Sequence, residues 1–229
     1  MSDTKYWIAL NDVPDVGPVT AKKLLALYRK PEKIFNASYK ELAGIPGIGP
    51  KKAKNIKGFE GWEKIDTQLK TLESKNVNVV TLDDTGYPEL LKNMEDSPIV
   101  LYTKGSVQKE DRFAIAVVGS RKYSSYGRFA VEKLSAELTS LGFTIVSGMA
   151  RGIDTLAHTT AVNSGGRTIA VLGSGIDVPY PPENKMLMEK ISCSGCVITE
   201  FPPGTQPERE NFPRRNRLIS ALSLGVLVI

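Results

Sequence analysis

The sequence predicts an α/β fold, a doubly wound and mostly parallel sheet preceded by a small all-α domain. Three observations carry that reading. From Arg112 onward, short apolar runs alternate with helical patterns. Two of those runs break at turns that open helices, Gly119-Ser120-Arg121 and Ser147-Gly148. The N-terminal third shows a different pattern, a repeated Pro/Gly hairpin between helices.

The repeat comes first along the chain. VPDVGPVTAKKL (Val13–Leu24) aligns with IPGIGPKKAKNI (Ile45–Ile56), and in each copy a glycine turn precedes a proline at the first helical turn, where its missing N–H costs nothing. The second copy resembles the helix-hairpin-helix motif of many DNA-binding proteins. Its Gly47 and Gly49 allow the backbone close to a phosphate, and Lys51, Lys52 and Lys54 supply charge. The first copy has Asp15 where the second has Gly47, a carboxylate in the phosphate position, so it is expected to be structural only. Either the second copy touches a nucleic-acid backbone or both hairpins merely turn the chain; the sequence weighs the two evenly. Residues 1–75 form this domain.

Residues 76–111 link it to the sheet. Trp62, Ile65, Leu69 and Leu72 recur at helical spacing ahead of the link, Val77 to Leu82 and Ile99 to Tyr102 read as short strands, and Gly86-Tyr87-Pro88 and Ser97-Pro98 as turns. The sheet domain spans residues 76–229. Its strands are expected over 113–118, 143–146, 168–172, 196–199 and 225–229, with helices over about 126–141, 154–163, 183–191 and 214–223 between them. Such a sheet binds ligands beyond the carboxyl ends of its strands.

The chemistry in those loops is Gly, Ser and Arg: Gly119, Ser120, Arg121 and Lys122; then Ser147, Gly148, Arg151 and Gly152; then Gly173, Ser174 and Gly175; then Arg214, Arg215, Asn216 and Arg217 at a helix start. Guanidiniums beside free N–H groups favour phosphate oxygens. The dinucleotide fingerprint fails for want of later glycines and no P-loop motif exists, so neither tight NAD or P-loop ATP use nor any cofactor is expected. Ser120 and Ser147 have no marked base. Asp154 reads as a helix N-cap, His158 as a packing residue, and Cys193 and Cys196 as reduced structural thiols. Neither a metal site nor a catalytic residue is expected.

Charge is uneven: residues 1–75 hold 14 Lys/Arg against 9 Asp/Glu, while the remainder holds 16 of each. The excess permits nucleic-acid binding by the N-terminal third without requiring it. MSDTKYWIALNDV has no basic segment followed by an apolar one, and no stretch has the length of a membrane span, so a soluble cytoplasmic protein is expected.

VVGSRKYSSYGR, SGMARGIDTLAH, GGRTIAVLGSGIDVPYPPEN, TEFPPG and FPRRNRLISALS, in this order, resemble the DNA-processing protein A family (DprA/Smf). The resemblance implies a Rossmann-like domain that binds single-stranded DNA without sequence preference and loads RecA during natural transformation, with no catalytic reaction. It implies DNA contact by Arg121 and by Arg167, which the loop pattern alone does not select. Tyr123, Tyr126 and Tyr180 are candidates for stacking on bases. Members of the family usually continue past GVLVI, so the chain is expected to be truncated. That weakens the family's homodimer and RecA contact as expectations here. The alternative is a Rossmann-like domain that binds or cleaves a mononucleotide.

Overall fold

The computed structural model describes residues 3–229, which divide into two compact units: the residues up to Asp83 with Glu95–Val100, and Asp84–Met94 with Leu101–Ile229.

The first unit holds helices α1 (Thr4–Asp12), α2 (Pro18–Tyr28), α3 (Pro31–Asn36), α4 (Tyr39–Gly44), α5 (Gly49–Lys57) and α6 (Trp62–Ser74), and strand β1 (Asn78–Thr81). Proline at the first or second position starts α2, α3 and α5, and a Ser38/Glu41 capping box starts α4, each at a point where backbone N–H groups have no helical partner. Ile8, Leu24, Ile34, Leu42, Ile56 and Ile65 are sealed in the core. Trp62 meets Tyr6, Phe35 and Phe59 edge-on, with ring centroids 5.0–5.3 Å apart. Of the residues expected in the core at helical spacing, Ile65 and Leu72 are buried, while Trp62 and Leu69 are half-buried.

The second unit carries α7 (Glu89–Lys92), β2 (Val100–Gly105), β3 (Ala114–Val118), α8 (Ser125–Ser140), β4 (Thr144–Ser147), α9 (Ile153–Asn163), β5 (Thr168–Val171), α10 (Lys185–Ser194), β6 (Cys196–Thr199), α11 (Asn211–Ala221) and β7 (Gly225–Val228). The strands run in the order β2-β6-β5-β4-β3-β7, and β2 alone is antiparallel to its neighbour. The doubly wound sheet is thus mostly parallel, as the alternating pattern predicts. Every residue of β4, β5 and β6 is buried, because helices cover both faces. Val117, Val131, Ile145, Ile153, Ala157 and Ala161 form one apolar cluster.

Register places the loops. Ala116 pairs with Val146 on one side and Val226 on the other, and Val146 pairs with Ile169, so β3, β4, β5 and β7 end at one edge. The chain leaves β3 towards β4 but returns from β6 to the far side of β3. That reversal opens a crevice at the strand ends, where Gly119, Gly148 and Gly173 follow their strands.

Candidate strand-end anion site

The first loop is tied down by its own backbone. Ser120 N–H donates to the Ile229 carbonyl at 3.2 Å, and its carbonyl accepts the Ile153 N–H at 3.2 Å. Ser120 Oγ accepts the Lys122 N–H at 3.1 Å and donates to the Lys122 carbonyl at 2.6 Å. A Cβ on Gly119 would lie 1.9 Å from the Ile229 carbonyl oxygen. Gly152, at φ +85°, has the same constraint, with Ser120 O 2.2 Å from its missing Cβ. Both glycines let loops touch one another. Arg121 and Lys122 are left exposed on the turn.

The second loop already holds an anion. Asp154 Oδ2 accepts the N–H groups of Gly148 and Ala150 at 3.2 and 3.3 Å. The predicted cradle of free N–H groups is therefore filled by the protein's own carboxylate. Asp154 lies inside α9, and the N-cap position expected for it belongs to Gly152. Burial pushes the Asp154 carboxyl up, against the pull of Arg215 and the two N–H groups. Ser147 is sealed, its Oγ donating to the Val117 carbonyl at 2.6 Å.

Arg215 lies beneath the surface. Only 5% exposed, it donates Nη1 to the carbonyls of Gly148 and Val171, the latter at 2.6 Å. Its guanidinium fills the space that a Gly148 side chain would occupy. Burial brings its pKa down to about 10, Asp154 opposes that shift, and the charge of Arg121 adds to it. Arg215 thus bolts two strand ends together, so its guanidinium is engaged with backbone carbonyls.

Two clefts open at these strand ends: a narrow one walled by Arg121, Arg151, Ser174, Tyr180 and Phe212, and a wider one that Arg121 shares with Gly119, Ser120, Asp154, Arg215 and Asn216. The Tyr180 and Phe212 rings lie 5.7 Å apart, and the Arg121 guanidinium stands 5.9 Å from the Phe212 centroid. Arg151 binds Glu183 through Nε at 2.5 Å and Nη2 at 3.2 Å, and that bond raises its pKa. Both partners are more than half exposed, so a phosphate can exchange for the carboxylate at little cost. The narrow cleft combines a guanidinium free of any carboxylate, a second in an exchangeable pair, and two flat rings. That chemistry suits a phosphate carrying a base.

The other candidates have partners elsewhere. Arg167 precedes β5 and so stands at the opposite end of that strand. It clamps Asp111 with Nε and Nη2, both at 2.8 Å, and donates to the carbonyls of Ser194 and Ser106. Arg217 pairs with Glu200 at 2.5 Å; Arg214 lies 4.0 Å from the same carboxylate and 5.1 Å from the Phe201 ring centroid. Asn216 Oδ1 accepts from Arg215 Nε at 3.1 Å. Ser174 Oγ donates to the Val178 carbonyl at 2.8 Å, Gly173 packs on Phe212, and Gly175 is wedged against Pro202 and Gly204. Arg121, Lys122 and Arg151 are the cations of the first two loops left exposed, a shorter row of candidate phosphate contacts than the loops offer in sequence. Phe212 and Glu183, which shape the cleft, carry no spacing signal in the sequence.

In the hairpin repeat, Asp15 (φ 65°) and Gly47 (φ 82°) hold the same turn, and the copies bind each other. Lys51 pairs with Asp15 at 2.9 Å, Asn55 donates to Asp15 and to the Pro14 carbonyl, and Lys52 donates to the Gly47 carbonyl at 3.0 Å and to Thr20 Oγ1. Two of the lysines expected on a phosphate are thereby engaged, while Lys54 is exposed.

His158 is fully buried. Thr168 Oγ1 gives its proton to the Ile145 carbonyl, so His158 Nδ1, 2.7 Å from Thr168 Oγ1, carries the ring proton. Burial, chiefly, lowers its pKa to about 3. Cys193 is exposed and Cys196 buried, with burial pushing the Cys196 thiol up to about 12. Among the described residues, no three His, Cys, Asp or Glu side chains gather as metal ligands, and no helix is long and apolar enough to cross a membrane.

A doubly wound, mostly parallel sheet with exposed guanidiniums at its switch point, following a tandem of helical hairpins, defines an α/β protein with a module of the kind found in DNA-binding proteins. The chain belongs to the DNA recombination-mediator protein A family, which it matches over residues 78–229, and residues 8–58 match the SAM-like helix-hairpin-helix tandem. It is 39% identical to Protein Smf of Synechocystis sp. over 232 residues, covering 100% of this chain and 58% of that protein. With DNA processing protein DprA of Streptococcus pneumoniae it shares 41% identity over 170 residues, 74% of this chain and 60% of the relative. The chain thus spans about three-fifths of the length of these relatives. The crystal structure of the S. pneumoniae protein superimposes with a TM-score of 0.77 at 34% identity, covering 98% of this chain and 77% of that one. A structure of DNA processing protein A from Helicobacter pylori, described for its single-stranded DNA binding mode, gives 0.59 at 30% identity over 66% of this chain and 68% of that one.

Proposed function

We propose that the chain binds single-stranded DNA without sequence preference and acts, without catalysing a reaction, in the DNA processing of natural transformation. One observation carries the reading. Arg121 is exposed at the strand-end crevice, stands over the Phe212 ring, and lines one pocket with the buried, cationic Arg215. Two guanidiniums of like charge at one cleft repel, and a backbone phosphate between them and the solvent relieves that repulsion. Backbone contact of this kind is indifferent to sequence and weakens as salt rises. Delivery of the strand to RecA and a cytoplasmic location belong to the same proposal through the family, and so does a homodimer.

Fluorescence anisotropy with an oligothymidylate at several salt concentrations tests it. Arg121→Ala should weaken binding roughly tenfold and flatten the log K against log salt slope by about 0.7. Unchanged affinity and slope would remove Arg121 from the site.

A second reading is favoured by the contraction of the phosphate row: one free guanidinium with Tyr180 and Phe212 also suits a mononucleotide. Calorimetry decides between them. Saturable mononucleotide binding that oligothymidylate does not displace supports the second reading.

A further inference from the structure

Helix α8 begins four residues after Arg121 and presents an aromatic face that nothing in the fold covers. Tyr126 is 78% exposed and Phe129 61%, while Gly127, Val131, Ser135 and Thr139 on the opposite face are buried; Tyr123, 42% exposed, precedes the helix and lies beside Gly127. Tyr126 and Phe129 are three residues apart, neighbours on one side of the helix, and Lys133 follows on the same side. An exposed phenylalanine beside an exposed tyrosine is no requirement of this helix, whose packing is satisfied by its small and β-branched face. Lys122, exposed on the turn, lies between Arg121 and the aromatic face.

We propose that this face is a second subsite for single-stranded nucleic acid, continuing the strand-end cleft: the strand held by a phosphate at Arg121 runs along α8 and stacks successive bases on Tyr126 and Phe129. The occupant follows from chemistry and continuity. Flat rings offered to solvent accept any base, and flanking lysines accept the backbone. In sequence, Lys122 and Tyr123 lead directly from Arg121 to the first turn of α8, which carries Tyr126. Arg128, two residues from Tyr126 and so on another side of the helix, pairs with Glu132 at 2.8 Å, leaving Lys122 and Lys133 to meet phosphates beside the rings, the latter 3.9 Å from Glu137 in an exposed pair. The subsite rests on the proposed single-strand binding.

Oligothymidylates of about 6 and about 20 nucleotides, bracketing the span of one compact site, separate the two proposals. The full chain carrying Tyr126→Ala with Phe129→Ala should bind the longer strand roughly tenfold more weakly and the shorter one as wild type does. Tyr126→Phe should retain the wild-type affinity, because the ring is what stacks. In Tyr126→Trp, indole emission should fall on adding the longer strand. Wild-type affinity of the double variant for the longer strand, or an equal loss on both lengths, overturns the subsite while leaving the cleft in place. Full affinity for both lengths with loss of self-association on sedimentation identifies a second copy as the occupant and likewise overturns it. A wild-type chain that binds neither length overturns both proposals.

Discussion

Arg167 and Asp111 form a two-pronged ion pair, with Nε to Oδ1 and Nη2 to Oδ2 both at 2.8 Å and only 2% of the Asp111 side chain exposed. Asp111 also accepts from Thr144 Oγ1 at 2.7 Å and the Gln108 N–H at 2.7 Å. The pair fastens the segment before β3 to the amino ends of β4 and β5. Removing the cation leaves a buried carboxylate short of its partner, so Arg167→Ala should destabilise the fold by about 3 kcal/mol. Measured below its melting temperature, the variant should bind oligothymidylate as wild type does, in contrast to Arg121→Ala. A loss of affinity at full stability would return Arg167 to the DNA contacts that the family resemblance implies.

His158 is the chain's single histidine, and its folded pKa of about 3 lies below the ordinary value of 6.5. The unfolded state therefore binds a proton between those values and the folded state does not. Stability from this group is complete above pH 6.5 and is lost as pH falls towards 3, with a slope of up to about 1.4 kcal/mol per pH unit. Urea titrations from pH 4 to 8 should show that slope in wild type and a shallower one in His158→Gln. Identical slopes would place the pH dependence in the carboxylates.

Gly152 joins the first two loops. An alanine there would place its Cβ 2.2 Å from the Ser120 carbonyl at a φ of +85° that side chains rarely adopt. Gly152→Ala should cost about 3 kcal/mol or more and shift the turn that presents Arg121. Thermal melting combined with oligothymidylate anisotropy should register both losses; a variant with wild-type melting would mean that the loops separate freely.

Asp15 covers Lys51 in the hairpin repeat, and that contact holds the Asp15 carboxyl below its usual range. Asp15→Ala frees the lysine in an exposed position. If the second hairpin touches a DNA backbone, the variant should bind a few-fold more tightly at low salt, with a salt slope steeper by about 0.7–0.9. No change in either quantity would leave the repeat as a packing module.

The strand–helix alternation from Arg112 to Ile229 was legible in the sequence because each buried strand is a short apolar run and each helix carries its own period. The paired hairpins were legible because Pro and Gly mark turns locally. Backbone geometry thus followed from near neighbours in the chain. The partners of charged groups did not, because they come from distant segments: Glu183 reaches Arg151 across 32 residues and Asp111 reaches Arg167 across 56. Spacing marked Asp154 as a cap, whereas the fold turned its carboxylate back onto Gly148 and Ala150. Only the packed sheet could bury Arg215, assign glycines to loop contact, and leave Tyr126 and Phe129 bare. A sequence records which groups are present, and tertiary structure decides which of them have already found a partner.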